Sequence, residues 1–158
     1  MGQEIDRAVA ALQQERTVRG LLDTACRELT QTLDASACAI SRIVGDLLVG
    51  LAEFTRASSP LGIGHEYLIS DYPLTQEVIS GGQPRVVSLL DEAPEPTEAE
   101  LLKRLGFESL MMACLPSQGT CWGLVEVYGE GRSFGRDEAE IANAIAEQAG
   151  QRLEQIAE

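Results

Sequence analysis

Residues 109–128, SLMMACLPSQGTCWGLVEVY, decide the fold of this chain. Two apolar runs, Ser109–Leu115 and Cys121–Tyr128, are joined by Pro116 to Thr120, which makes an antiparallel hairpin whose side chains alternate between two faces. With the loop centred on Gln118-Gly119, Leu110, Met112 and Cys114 share one face with Gly123, Val125 and Val127. Met111, Ala113 and Leu115 then share the other with Trp122, Leu124, Glu126 and Tyr128. The first face is expected beneath covering helices, because the small Gly123 permits close approach.

Outward from this hairpin, a final helix starts after Phe134-Gly135, with Asp137, Glu138 and Glu140 at its positive end and an apolar stripe at Ile141, Ile145, Ala149 and Leu153. At the other end, Ile5, Val9 and Leu12 are followed by Leu21, Leu22, Ala25, Cys26, Leu29 and Leu33, again at helical spacing. Gly20 marks a weak point between them. Residues 1–17 are therefore expected as a lead-in helix or linker protruding from a single domain over 18–158. Ala37–Val44 and Leu47–Thr55 form a second hairpin around Gly45-Asp46, and Ser58 to Gly64 reads as a loop. Short strands are expected at Glu66–Ile69 and Arg85–Ser88, with a short helix over Leu74–Ser80 between them. Asp91 to Glu100 reads as a solvated acidic loop, and Thr97 with Glu100 as a capping box for a helix running to Leu105 and stopped by Gly106. Long helices at both ends with strands between them suit an α+β sandwich: a central antiparallel sheet with the terminal helices on one face and short helices and loops over the other.

Composition narrows the function. The chain has 158 residues, 44% of them hydrophobic, enough for one ordinary domain. Its net charge of −13 and pI near 4.4 disfavour nucleic acid and anionic membrane surfaces as partners. No apolar run approaches the roughly 18–20 residues that span a bilayer, and the chain reads as soluble and cytoplasmic. The single His65 and four cysteines have no zinc-site spacing, so no metal ligand set is assigned, and all four thiols are expected free. No nucleophile elbow, catalytic triad or phosphate loop is present, and no catalytic residue is assigned.

Ala25-Cys26-Arg27-Glu28-Leu29, Leu105-Gly106-Phe107-Glu108-Ser109-Leu110, Trp122-Gly123-Leu124-Val125-Glu126-Val127-Tyr128 and Phe134-Gly135-Arg136-Asp137-Glu138 together resemble a GAF domain, over roughly Leu21 to Ile156. The resemblance implies a GAF/PAS-like α+β fold with five or six strands, a small-molecule pocket on the sheet face away from the terminal helices, and a non-catalytic sensory role in bacterial multidomain signalling proteins. Phe134, Asp137 and Glu138 match the cyclic-nucleotide members, but the Asn and Lys that should precede Phe134 are replaced within Gly129-Glu130-Gly131-Arg132-Ser133. No Cys-His pair of bilin-attaching members is present, and the axial His of haem-binding relatives is missing from its segment. The cofactor is left unknown.

Tyr67, Tyr72, Arg85, Met111, Ala113, Glu126 and Tyr128 are the candidate ligand-binding residues. Glu126 is the expected polar anchor, paired internally with Arg85 or with a hydroxyl of Tyr67 or Tyr72, or else accepting hydrogen bonds from a ligand's amine, amide or hydroxyl. A homodimer through the terminal helices is expected, using the small-residue strip Ala142, Ala146, Ala149 and Gly150. The competing classes are a dimerisation module without ligand and a thiol-dependent reductase of free methionine sulfoxide.

Overall fold

A computed structural model describes residues 2–56, 61 and 66–157. The elements run α1 (Gly2–Gln13), α2 (Val18–Thr32), β1 (Ala37–Val44), β2 (Leu47–Thr55), β3 (Glu66–Leu68), a 3₁₀ turn (Ile69–Asp71), α3 (Pro73–Gly81), β4 (Arg85–Ser88), α4 (Pro96–Leu105), β5 (Ser109–Ser117), β6 (Thr120–Gly129) and α5 (Arg136–Ala157). The strands form one antiparallel sheet in the order β3-β2-β1-β6-β5-β4. The expected α+β architecture is therefore present, with a six-stranded sheet. His65 and all of the Ser58–Gly64 loop except Leu61 lie outside the described residues.

Two cores flank the sheet. On one face Cys38, Ile40, Met111, Ala113, Leu115, Val125 and Val127 pack against Leu21, Ala25 and Leu29 of α2 and Ile141, Ala142 and Ile145 of α5. On the other, Ala37, Ala39, Leu110, Met112, Leu124 and Tyr128 meet Val78 of α3 and Leu102 of α4. This sorting differs from the sequence expectation on the β5–β6 hairpin. Ser117 pairs with Thr120 and Pro116 with Cys121, as a turn at Gln118-Gly119 requires, but Leu115 then pairs with Gly123. Trp122 is the extra residue of a β-bulge, and a one-residue slip moves every later side chain to the opposite face. Met111 and Ala113 consequently lie under the helices with Val125 and Val127, while Met112 and Leu110 join Glu126 and Tyr128.

The bulge also corrects the expectation of four free thiols. It brings the Cα atoms of Cys114 and Cys121 to 5.6 Å, within disulfide reach, and their sulfurs are bonded. Cys26 and Cys38 are free and fully buried in the helix-side core.

The terminal helices also depart from expectation. α1 does not protrude: it lies against α2 and α5 and buries Ala8 and Leu12. Its connection to α2 is tied down by Arg152, whose guanidinium donates twice to the Glu15 carbonyl at 3.1 and 2.8 Å. The expected weak point at Gly20 is instead the first turn of α2, where Thr17 Oγ1 accepts from Gly20 N at 3.0 Å. Ala142, Ala146, Ala149 and Gly150 are buried within this same chain and cannot serve as a dimer strip. Their small size is used against the sheet, most tightly where α5 crosses the end of β5. A Cβ on Gly150 would lie 1.9 Å from the Pro116 carbonyl oxygen.

That contact yields a test. Because the obstructing atom is backbone, Gly150→Ala must push α5 off the hairpin and is expected to cost about 1–3 kcal/mol of stability in chemical denaturation. Gly81→Ala, with nothing within 4 Å of the added carbon, is the control and should change stability by less than about 1 kcal/mol.

Candidate functional site

The face away from α1, α2 and α5 carries a row of paired positions across the sheet: Arg85, Met112, Glu126, Ala39 and Glu53. Tyr128 sits two residues along β6 on the same face, opposite Ala37. The alanines of β1 fill little space, and the gap above the sheet is closed by Tyr67 of β3, Tyr72 and Thr75 at the start of α3, and Glu98, Leu101 and Leu105 of α4. These residues, with Leu48, Glu126 and Tyr128, line a cavity of about 30 Å³.

Each polar group in the cavity has a traceable position. Phe107 stacks on the Tyr128 ring at 5.1 Å between centroids, which orients the phenol so that its hydroxyl donates to Glu126 Oε2 at 3.1 Å. Tyr67 and Tyr72 meet edge to face at 6.0 Å. Thr75 Oγ1 donates to Glu98 Oε1 at 2.6 Å. A buried carboxyl is easier to keep neutral, and Glu126 is pushed up to about 7 by burial and, next, by the charge of Glu98, with the Tyr128 hydrogen bond opposing. Glu98 is raised as well, through burial and the neighbouring Glu95, against the Thr75 bond. Burial also raises the Tyr72 hydroxyl, while Arg104 draws it back down.

Of the residues singled out from sequence, Tyr67, Tyr72, Glu126 and Tyr128 line this cavity, and Arg85, Met111 and Ala113 do not. Met111 and Ala113 were displaced by the bulge. Arg85 is exposed at the sheet edge, where its guanidinium lies 3.5 Å from Glu77 of α3. The partner of Glu126 is the Tyr128 hydroxyl, not Arg85, Tyr67 or Tyr72.

Glu98 and Thr75 were missed. The acidic stretch Asp91–Glu100 is not a wholly solvated loop: α4 begins within it at Pro96, Glu98 is 1% exposed, and the expected Thr97/Glu100 capping box is replaced by Glu95, whose carboxylate accepts from Glu98 N at 2.8 Å. Glu98, Leu101, Leu102 and Leu105 stand at helical i, i+3, i+4, i+7 spacing, a signal that Pro94, Pro96 and the dense acids obscured.

Among the described residues no group of His, Cys, Asp and Glu is arranged for a metal ion, and no helix is long and apolar enough to cross a membrane.

The GAF domain family model matches residues 17–153, so the chain belongs to the GAF family. No curated protein matches. Among solved structures, the chromophore-binding domain of an unusual bacteriophytochrome from R. palustris superposes with a TM-score of 0.85 at 13% identity, covering 99% of this chain and 62% of that one. A phycoerythrobilin-bound GAF domain from a cyanobacterial phytochrome gives 0.83 at 18% identity, covering 99% of this chain and 95% of the other. The chromophore-binding domain of Stigmatella aurantiaca phytochrome P1 gives 0.78 at 17% identity, with coverages of 97% and 58%. This chain thus spans about three-fifths of the two chromophore-binding domains. At these identities the likeness shows the fold.

The raised Glu126 makes a signed prediction. Its folded-state value, about 7, lies above the ordinary 4.5, so the folded chain holds the proton longer and stability falls as pH rises through that window. Above it the buried charge is a standing cost. Glu126→Gln is therefore expected to be more stable than the parent by roughly 2–3 kcal/mol in urea titrations at pH 8 and nearly equal to it at pH 4. A variant less stable than the parent at pH 8 would show that a partner holds the carboxylate charged.

Proposed function

We propose that this GAF domain is a non-catalytic sensory module that binds a small molecule at the Glu126 cavity and passes its state through the terminal helices to a partner or output domain. The observation that carries this reading is that Glu98 and Glu126 line one cavity together with Tyr67, Tyr72 and Tyr128. Packing alone gains nothing from two buried carboxylates placed so that the charge of Glu98 disfavours ionisation of Glu126. A ligand offering an amine, amide or hydroxyl hydrogen would relieve that cost, and a cationic amine most of all, since the tyrosine rings also favour it.

The solved neighbours include bilin-bound domains, but a thioether to a bilin finds no support here. Two cysteines lie in the core under the opposite face and two are bonded to each other. The cavity, about 30 Å³, admits a group of the size of one or two waters. The head of a small ligand fits that space, and a larger ligand would require the covering residues of β3, α3 and α4 to move apart.

A module that pairs without a ligand would also have a nearly filled core, but it has no use for the converging carboxylates. Pairing of two copies through the terminal helices stays part of the proposed role. It would use the outer faces of α1 and α5, and light scattering that gives a 17.0 kDa particle would remove it. The Cys114–Cys121 bond favours, as a second reading, reduction of free methionine sulfoxide, which turnover coupled to dithiothreitol would establish.

The direct test is thermal shift against a panel of primary amines, amides and polyols. A compound that stabilises the parent should bind Glu126→Gln more weakly by about 1.5–3 kcal/mol, the value of a hydrogen bond to a charged group. Equal affinity for both chains would remove Glu126 from the site.

A further inference from the structure

The Cys114–Cys121 bond has little structural work to do. It closes a loop of seven residues' separation that the β5–β6 ladder already closes, in a chain whose two cores hold the sheet from both sides. Its setting is unusual in another way. β4 pairs with β5 only from Ser109 to Met112, so among the described residues no strand neighbours the edge of β5 beyond Met112 on that side. A cavity of about 310 Å³ opens there, between the end of α3 and α5, and both sulfur-bearing residues line it. Its volume is at the lower end of ordinary small-molecule sites.

The two sulfurs are not equivalent. Cys114 is 7% exposed and backed by the core, whereas Cys121 is only half-buried, and the Gly123 carbonyl, 3.3 Å from its sulfur, can accept the S–H formed on reduction. Glu147 also lines this cavity, with Glu154 on the adjoining surface, so its charge is negative. The hairpin end beside the bond is seated on α5: the Pro116 carbonyl fits against Gly150, and Gln118 N donates to the Glu154 carboxylate.

We infer that Cys114–Cys121 is a thiol–disulfide exchange site for small neutral or cationic thiols and their disulfides, and that its redox state sets how the β5–β6 hairpin seats on α5. This site is separate from the Glu126 cavity and stands without it. In the reducing direction a thiolate attacks Cys121 Sγ. The S–S bond breaks and its electron pair goes to Cys114 Sγ, which takes a proton from water. A second thiol attacks the mixed disulfide and releases Cys121 as a thiol. Two thiols become one disulfide, and the protein gains two electrons and two protons. Oxidation by a small disulfide is the reverse.

Cystamine and cysteamine, which carry primary ammonium groups, are the probes, with the anionic glutathione couple for comparison. After equilibration with cystamine and denaturation, the full chain should show two titratable thiols, and after cysteamine four. Trp122, the only tryptophan, adjoins Cys121, and its emission should rise reversibly on reduction in the parent and not respond in Cys121→Ser. With cystamine as the disulfide, Cys114→Ser should form the mixed disulfide at Cys121, releasing cysteamine, about tenfold faster than Cys121→Ser forms one at Cys114, because access governs exchange. Amide exchange around Gly150–Glu154 should quicken on reduction. Four thiols after cystamine, equal trapping at both cysteines, or glutathione disulfide reacting as fast as cystamine would overturn the exchange site as stated. Unchanged amide exchange in α5 would overturn the coupling. Should Cys114→Ser fail to fold, the parent's thiol count and Trp122 emission still decide.

Discussion

Between Leu115 and Pro116 the β5–β6 ladder slips by one residue, leaving Trp122 without a paired position, and the division of the molecule into two faces depends on that slip. Strand side chains alternate with a period of two, so a single inserted residue exchanges the faces for everything beyond it. With the bulge, Val125 and Val127 join Met111, Ala113 and Leu115 beneath α2 and α5, and Glu126 is directed away from them. Without it, Glu126 would share the face of Met111 and Ala113, the side on which the terminal helices pack. The same bulge brings Cys121 to Cys114, and Pro116 at its edge presents the carbonyl that Gly150 receives.

The helix side is built for rigidity. Small residues on α5 let it lie close to β5, and polar ties hold its flanks: Arg152 binds the α1–α2 connection, and Arg132 reaches the Leu33 carbonyl at the end of α2, pairs with Glu138 and covers the Phe134 ring. The opposite side combines apolar packing with groups that prefer water. Glu98 and Glu126 are kept there by hydroxyl donors, Thr75 and Tyr128, which soften the cost of burial but do not offset it, so both carboxyls stay raised above their ordinary range. A pair of acids held in this way is sensitive to whatever enters the cavity, because a new donor changes the balance between neutral and ionised forms.

The β5–β6 hairpin connects these parts. Glu126 and Tyr128 lie toward one end of β6, the disulfide and the Pro116 seat toward the other, and α5 crosses the hairpin and continues toward the end of the chain. Both ends belong to the same pair of strands, and α5 packs against β5 of that pair. In the proposed role, this arrangement would supply the route from the sheet to a terminal helix.

From the sequence alone, the periodicities identified every sheet strand and the main helices, because 3.6- and 2-residue patterns are local and survive without knowledge of neighbours. The α+β architecture followed, as did Glu126 as a carboxylate in an apolar strand and Tyr67, Tyr72 and Tyr128 near it. What only the tertiary structure decided was register and packing partner. The bulge depends on how Pro116 and Trp122 fit between adjacent strands and α5, and no turn rule contains that information. It therefore reversed the placement of Met111 and Ala113 and created the Cys114–Cys121 contact. The alanine strip of α5 has the same pattern whether it meets a sheet or a second copy, and here the sheet takes it. Glu98 was hidden for a related reason: burial of a charged residue is settled by what folds over it, and here α3 and the β6 face complete its surroundings.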